Sequence, residues 1–452
     1  MKWILSLFWI GALLDSGATN RPYVHPFKLV TCNQTESQEM DPEATFLPRL
    51  IGVEGPSPVN GSSGRWQGDE EEEEEERDPS PSEVRFVSHL QRSLAGGWFR
   101  NWSPLEGPGV SLLCPMHLHG DLAALSLGAG GSTAHTLQNI LGFGTKGCQH
   151  GRRSRDRHWH FAVLNRKILT QQGRSLSTGA WLVFQKGLRL QLAFSQKLQQ
   201  FHPTVQLRAV DFSQPHLAEE SINSLIRNAT AGMVGNLVSG LDRSTTLVFT
   251  SYIHFKGKWK TRSQCHGTEF QDFFNEGGRK VQVPMISLCG RFQYKTIPEY
   301  TLIKLPMSGT MYMVLVQPVR PNMMKNIEST LPVNSILNKL QSGFARVVLP
   351  RFQWDGTYDV KEFFRRMQEL DVLGGKANYS RFSDDQQLTV DQVMQNVIFE
   401  VTEDGEEPTP TGDVPFRNTT VVTEIRIDKP FFFRVYDGTL DVLLFLGRVK
   451  KL

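Results

Sequence analysis

Val84, Val87, Leu90, Leu94 and Trp98 recur at the three- and four-residue intervals of a helix with one apolar face. They predict an amphipathic first helix from about Ser82. Leu122 to Leu127 and Thr133 to Leu141 read as two more helices, broken by Gly128, Gly130 and Gly131. A further helix fits Trp159 to Leu169. Another is expected over Ser221 to Gly240, with Ile222, Leu225 and Ile226 on one face.

The pattern then turns to strands. Thr245 to Phe255 is rich in β-branched and aromatic residues. Phe270 to Phe274 and Val281 to Ile286 flank the turn sequence NEGGR and predict a hairpin. Tyr312 to Val316 and Ala345 to Leu349 are short buried strands. Val421 to Ile427, Pro430 to Tyr436 and Leu440 to Val449 make the carboxyl end strand-rich. Helices early and strands late, with no internal linker, predict a single α+β domain over residues 83–452.

The residues ahead of that domain carry no such periodicity. Val30 to Ser82 is rich in Pro, Gly, Ser, Glu and Asp and holds eight consecutive acidic residues, Asp69 to Glu76. Like charges at this density repel one another and bury nothing, so residues 30–82 read as a mobile acidic extension. Met1 to Thr19 has Lys2, an apolar stretch too short to span a bilayer, and a small-residue end, the form of a secretory signal peptide (residues 1–19). Secretion into an extracellular setting is therefore expected. The five cysteines then sit in an oxidising compartment, and their odd number leaves at least one unpaired within the chain. Sequons at Asn33, Asn60, Asn228, Asn378 and Asn418 fit the same route. The net charge of +3 over 452 residues gives no general case for nucleic acid.

Between the leader and the extension lies NRPYVHPFKL, residues 20–29. Pro22 and Pro26 each fix φ and remove a backbone donor, so the segment is not helical and favours an extended course. An extended segment near an amino terminus is what a protease cleft takes up as a strand. Leu29 and Val30 offer an apolar pair for the cut. Composition alone favours the plainer reading, an ordered terminal strand or a linker.

Other chemistry is thin. Asp15-Ser16-Gly17 matches one half of an aspartic protease signature, but the copy is single and lies in the leader. His117 with His119, and His158 with His160, form H-x-H pairs. These suit a metal on a strand and diverge on a helix, and core or surface histidines are the readier explanation. GAGGST lacks the Lys of a phosphate-binding loop. No catalytic residue, metal site or cofactor is expected. Arg152, Arg153, Arg155 and Arg157, with Lys146 and His150, make a basic cluster. It reads as a solvated loop or as a contact for glycosaminoglycan, and Glu70 to Glu76 offers the same patch an internal partner. Cys265 and Cys289 flank the predicted hairpin and would lie nearly opposite, which allows a bridge. Cys114, before Pro115, is expected to be a buried thiol.

LSLGAGGSTAHTLQNILGF (125–143), HFKGKW (254–259), VQVPMI (281–286), LPRF with TYDVK (349–361), KPFFFRVYD (429–437) and FLGRV (445–449) resemble, in order and spacing, the landmarks of the serpin family. The resemblance spans nearly all of residues 83–452 and implies the serpin fold, helices packed around three β-sheets. Inhibitory serpins insert a cleaved loop into their main sheet, which needs small side chains and free N–H groups at the hinge. Here the matching segment reads Glu406, Glu407, Pro408, Thr409, Pro410, Thr411, Gly412. Insertion would bury the Glu406 carboxylate and lose ladder bonds at both prolines, so a non-inhibitory member is expected.

Residues 20–29 resemble the angiotensin peptides, with Pro22 in place of Val and with Asn20 and Lys28 also differing. That likeness implies a hormone precursor, not an enzyme. Renin, an aspartic protease, would cut Leu29-Val30, and a dipeptidyl carboxypeptidase would then leave the octapeptide Asn20–Phe27 for the angiotensin receptor. Arg21 would supply a cation, Tyr23 and His25 polar aromatic contacts, and Phe27 the terminal aromatic and carboxylate, with Val24 between. The family pattern also implies a bridge from Cys32 to Cys148. The alternatives are a glycosaminoglycan-regulated serpin inhibitor and a non-inhibitory carrier.

Overall fold

The computed structural model describes residues 80–102, 109–143, 154–172, 175–260, 264–331, 333–351, 353–383, 388–402 and 423–452. The leader, residues 20–29, the acidic extension up to residue 79, Cys32, Cys148 and the sequons at Asn33, Asn60 and Asn418 lie outside them. Helix α1 (Pro81–Trp102) begins at a capping box. The Glu83 carboxylate accepts from the Ser80 backbone N–H at 2.7 Å, and the Ser80 hydroxyl accepts from the Glu83 N–H at 3.4 Å. Val84, Val87, Leu90, Leu94 and Trp98 are all buried, as their spacing predicts.

Strand β1 (Val110–Leu113) leads into α2 (Pro115–Gly128) and α3 (Gly131–Ile140). Helix α2 starts seven residues earlier than its apolar run suggests, at a proline whose missing N–H costs nothing in a first turn. It is buried around most of its circumference, so it has no polar face to read. There follow α4 (Ser154–Gln172), β2 (Leu176–Gln185), α5 (Leu192–Phe201), β3 (Val205–Val210) and α6 (Pro215–Ala229).

The helix expected over 221–240 is corrected here. Helix α6 ends at Ala229, and Ala231 and Gly232 take φ of 50° and 82°, which turns the chain back. The Asn223 side chain then pins the returning segment. Its Nδ2 donates to the Val238 carbonyl at 2.8 Å, and its Oδ1 accepts from the Leu237 and Val238 N–H groups. Val234, Leu237 and Val238 pack on Ile222 and Ile226, which explains why a loop carries a helix-like apolar repeat.

Strands β4 (Leu247–Lys258), β5 (Gln264–Phe274), β6 (Lys280–Thr296), β7 (Tyr300–Pro306), β8 (Met311–Pro318), β9 (Gln341–Pro350), β10 (Gln353–Asp359), β11 (Val390–Thr402), β12 (Thr423–Arg426), β13 (Phe431–Asp437) and β14 (Val442–Val449) complete the fold. The β5–β6 hairpin turns through Gly277 and Gly278 at φ 90° and 83°, as NEGGR predicts.

Three sheets were expected, and the described strands form two continuous ones. One has nine strands in the order β1-β14-β13-β8-β7-β6-β9-β12, with β5 also on β6. The other has five, β10-β11-β4-β2-β3. The long strand β6 is the reason. It pairs with β5 and β9 over its first part and with β7 at Gln293–Thr296, so two ladders share it.

Phe255 and Phe399 of the five-stranded sheet meet Phe433 and Phe445 of the other, with ring centroids 5.0–5.3 Å apart. Gly447 is required there, because a Cβ would sit 2.2 Å from the Phe433 ring. Arg92 of α1 binds both carboxylate oxygens of Asp441 at 2.8 and 2.7 Å and fixes the helix to the β13–β14 turn.

Candidate functional site

Two places carry the functional expectation: the peptide end, outside the described residues, and the hinge between β11 and β12. Strand β11 ends at Thr402 and β12 begins at Thr423, so Glu406, Pro408 and Pro410 fall in the undescribed 403–422. The sheet they would have to enter is fully described. Strands β4 and β11 are parallel neighbours from Leu247↔Val390 to Lys258↔Thr402, with Phe255 facing Phe399 and Lys256 facing Glu400. The β4–β11 seam is closed along its whole length.

Side chains tie this seam at both ends. Near its start, the Asp391 carboxylate accepts from the Thr246 N–H at 2.7 Å, and the Thr246 hydroxyl donates to the Thr389 carbonyl at 2.7 Å. Near its finish, Glu400 accepts from Gln353 of β10 at 3.0 Å and lies 3.6 Å from His254 of β4. Asn396 donates to Asp355 and Thr357 of β10 at 2.8 and 3.2 Å. A strand entering between β4 and β11 would have to part this ladder, and a hinge bearing Glu406 and two prolines would bring a carboxylate into the sheet and lack two N–H donors.

The H-x-H residues lie on helices α2 and α4, and among the described residues no group of His, Cys, Asp or Glu is arranged to hold a metal ion. The histidines are core residues instead. His119 stacks on Phe161 at 4.6 Å, and His158 packs edge-on to Phe143 at 4.9 Å and His202 at 5.9 Å. Burial lowers the imidazole pKa of His119 to about 3 and of His158 to about 4, and holds His202 well below the ordinary value.

In the unfolded chain these rings take up protons near pH 6.5, whereas in the folded chain they resist. Their stabilising effect is therefore complete above about pH 6.5 and is lost as pH falls toward 3–4. His119 and His158 each contribute about 1.4 kcal/mol per pH unit across that window, and His202 acts in the same direction. Denaturant melts at stepped pH should show stability falling below pH 6.5. A profile flat from pH 7 to 4 would contradict the burial of neutral rings.

Arg157 of the basic cluster donates to the Gly142 carbonyl at 2.8 Å and braces the end of α3. Two sequon residues are described, and both are exposed. Asn228 lies at the end of α6, and Asn378 is in the loop against α3, where its N–H donates to the Thr133 hydroxyl at 2.9 Å. Cys114 is a free, buried thiol, as expected, and burial raises its pKa to about 12. Cys289 is disulfide-bonded. The β5–β6 register puts Gln264 opposite Leu288 and His266 opposite Ser287, with Cys265 the extra residue between, close by Cys289 along the ladder.

A family model described as Serpin (serine protease inhibitor) matches residues 95–452. The chain belongs to the serpin family. The mouse protein-Z dependent protease inhibitor has this fold, with a TM-score of 0.71 at 23% identity over 82% of this chain and all of that one. Human angiotensinogen is 29% identical over 470 residues, covering 98% of this serpin and 96% of its own length. Alpha-1-antiproteinase F of the guinea pig, Cavia porcellus, is 27% identical over 378 residues, covering 82% of this serpin and 91% of its own length. The serpin is thus similar to angiotensinogen over nearly its whole length, and to a named antiproteinase over a shorter stretch. Among the described residues no helix is long and apolar enough to cross a membrane.

Proposed function

We propose that this serpin is a secreted, non-inhibitory hormone precursor. In this reading renin cuts Leu29-Val30 and frees Asn20–Leu29, and a dipeptidyl carboxypeptidase trims it to Asn20–Phe27. The octapeptide then acts on an angiotensin receptor in the control of blood pressure and salt balance. The observation that carries the reading is the decapeptide at residues 20–29. The likeness to angiotensinogen supports it, because at 98% of the chain that alignment reaches into the residues ahead of the family match, which begins at 95. The hinge supports it from the other end: Glu406, Pro408 and Pro410 are ill-suited to a central strand.

The domain plan belongs to the same reading: leader 1–19, peptide 20–29, acidic extension 30–82 and serpin body from 83. A bridge between Cys32 and Cys148 would hold the scissile bond near the body and tune access to it. The test is digestion of secreted protein with renin, oxidised and mildly reduced, followed by mass spectrometry. The expected first product is Asn20–Leu29, formed at different rates in the two states. A first cut at any other bond overturns the reading, and equal rates remove the Cys32–Cys148 control.

A further inference from the structure

Between helices α2, α4 and α5 lie three imidazoles that the hormone-precursor reading does not use. His119 of α2, His158 of α4 and His202 at the end of α5 are buried, none more than 4% exposed. The His158 and His202 rings meet edge-on, and His202 lies 6.3 Å from Phe161, the ring on which His119 stacks. Trp98 of α1 stands 5.7 Å from His119, with Phe143 at 5.5 Å, and Phe201 of α5 lies 5.9 Å from His158. One aromatic cluster therefore joins α1, α2, α4 and α5.

Phenyl rings would fill this space and leave nothing polar to satisfy. Imidazoles do not. Both ring nitrogens of His119, Nδ1 of His158 and Nε2 of His202 have no hydrogen-bond partner among the described residues. The Ser126 hydroxyl is 3.5 Å from His158 Nε2, at the limit of a bond. The charged groups around the cluster do not compensate. Lys197 of α5 opposes a charge on His158, and Arg157 of α4 is held by the Gly142 carbonyl. Glu83 of α1 faces His160, while Asp121 of α2 faces His117 and accepts from Ser251. Packing alone keeps the three rings neutral, and it does so only while the helices stay together.

The cluster also lies close to solvent. A cavity of about 20 Å³, room for one water molecule, is lined in part by His117, Asn165, Thr178, Thr204 and His202. His202 borders it, and neither His158 nor His119 does.

We propose that the three rings form an acid-operated catch, which holds α4 and α5 against α2 at neutral pH and on proton uptake releases the two helices as a unit, with both sheets still closed. In the released form each ring takes up a proton near pH 6.5, as any exposed histidine does. In the closed form burial resists that proton to far lower pH. Release therefore gains about thirtyfold per ring between pH 7.5 and 5, and on the order of ten-thousandfold for all three. The loss of global stability below pH 6.5 does not require this. The catch adds that α4 and α5 let go first, while the strands remain paired.

The experiment is native-state hydrogen exchange on the full chain from pH 7.5 to 5, in water and in low urea, with each opening constant corrected for the intrinsic exchange rate. In wild type the opening of α4 and α5 should rise on the order of ten-thousandfold and depend little on urea. It should stay at least about a hundredfold above the opening of β4, β11 and β13 at every pH. His202→Asn, at the cavity wall, cannot titrate and should cut the rise about thirtyfold. His119→Phe keeps a ring against Phe161 and should cut it by the same factor, the two together by about a thousandfold.

A ring that only filled space would shift the opening alike at every pH and leave the rise unchanged. Helices that open only together with the strands, a wild-type rise below about threefold, or variants that keep the full rise would overturn the catch. If His119→Phe does not fold, His202→Asn alone decides the matter. Failure of renin to release residues 20–29 would leave these outcomes untouched, which separates this proposal from the hormone reading.

Discussion

Leu29→Asp protein should yield no Asn20–Leu29 after a renin digestion that converts wild type completely. An aspartic protease seats the residue before the cut in an apolar subsite, and a carboxylate there must be desolvated at a cost of several kcal/mol. The expected loss of rate is at least about a hundredfold, since each 1.4 kcal/mol is a factor of ten. Leu29→Met, which keeps the apolar volume, should be cut at close to the wild-type rate. Quantitative mass spectrometry of the released peptide reads both results. Release from Leu29→Asp at the wild-type rate would place the recognised bond elsewhere.

Limited proteolysis within 403–421 should leave the melting temperature within about 2 °C of the intact protein. A serpin that inserts its cleaved loop gains a strand, with new ladder bonds and buried apolar area, and its melting point rises by tens of degrees, on the order of 10 kcal/mol or more of added stability. Here the incoming segment would carry Glu406 into a sheet interior and present Pro408 and Pro410 where N–H donors are needed. No adduct resistant to detergent should form with a serine protease. Melting curves before and after the nick, with a denaturing gel, decide the matter. A large upward shift or a covalent adduct would restore the inhibitor alternative.

Much of the body was legible where one face of an element meets water. Helix α1 shows its buried stripe in Val84, Val87, Leu90, Leu94 and Trp98, and the β5–β6 turn announces itself in Gly277 and Gly278. Legibility fails where burial is complete. Most of α2 is buried, so its first half, from Pro115, offers no alternation to read. Strands β2 and β11 lie in the interior of the five-stranded sheet and lack a clean polar face, so neither stands out along the chain. Val234, Leu237 and Val238 mimic a helix because they fold back on one.

The site divides in the same way. The hinge prolines and the peptide are local features and can be read in order along the chain. The Asp121 carboxylate of α2 accepts from Ser251 of β4 and Gln395 of β11, residues 130 and 274 positions away, and no spacing rule brings those three together. The buried histidines mislead for a related reason, since a ring in the core and a ring ready for metal look alike until the packing around His119 and His158 is known.

The parallel pairing of β4 with β11 also sets an order of events at the ribosome. Strand β4 finds β2 soon after it emerges, but its other edge waits for residues 390–402. At ordinary elongation rates that wait is on the order of ten seconds. Throughout it the nascent chain holds an apolar strand edge that any extended segment could occupy, including one from a neighbouring chain. The last quarter of the polypeptide therefore completes the sheet that the first half begins, and a chain stalled or truncated before Val390 is a template for aggregation.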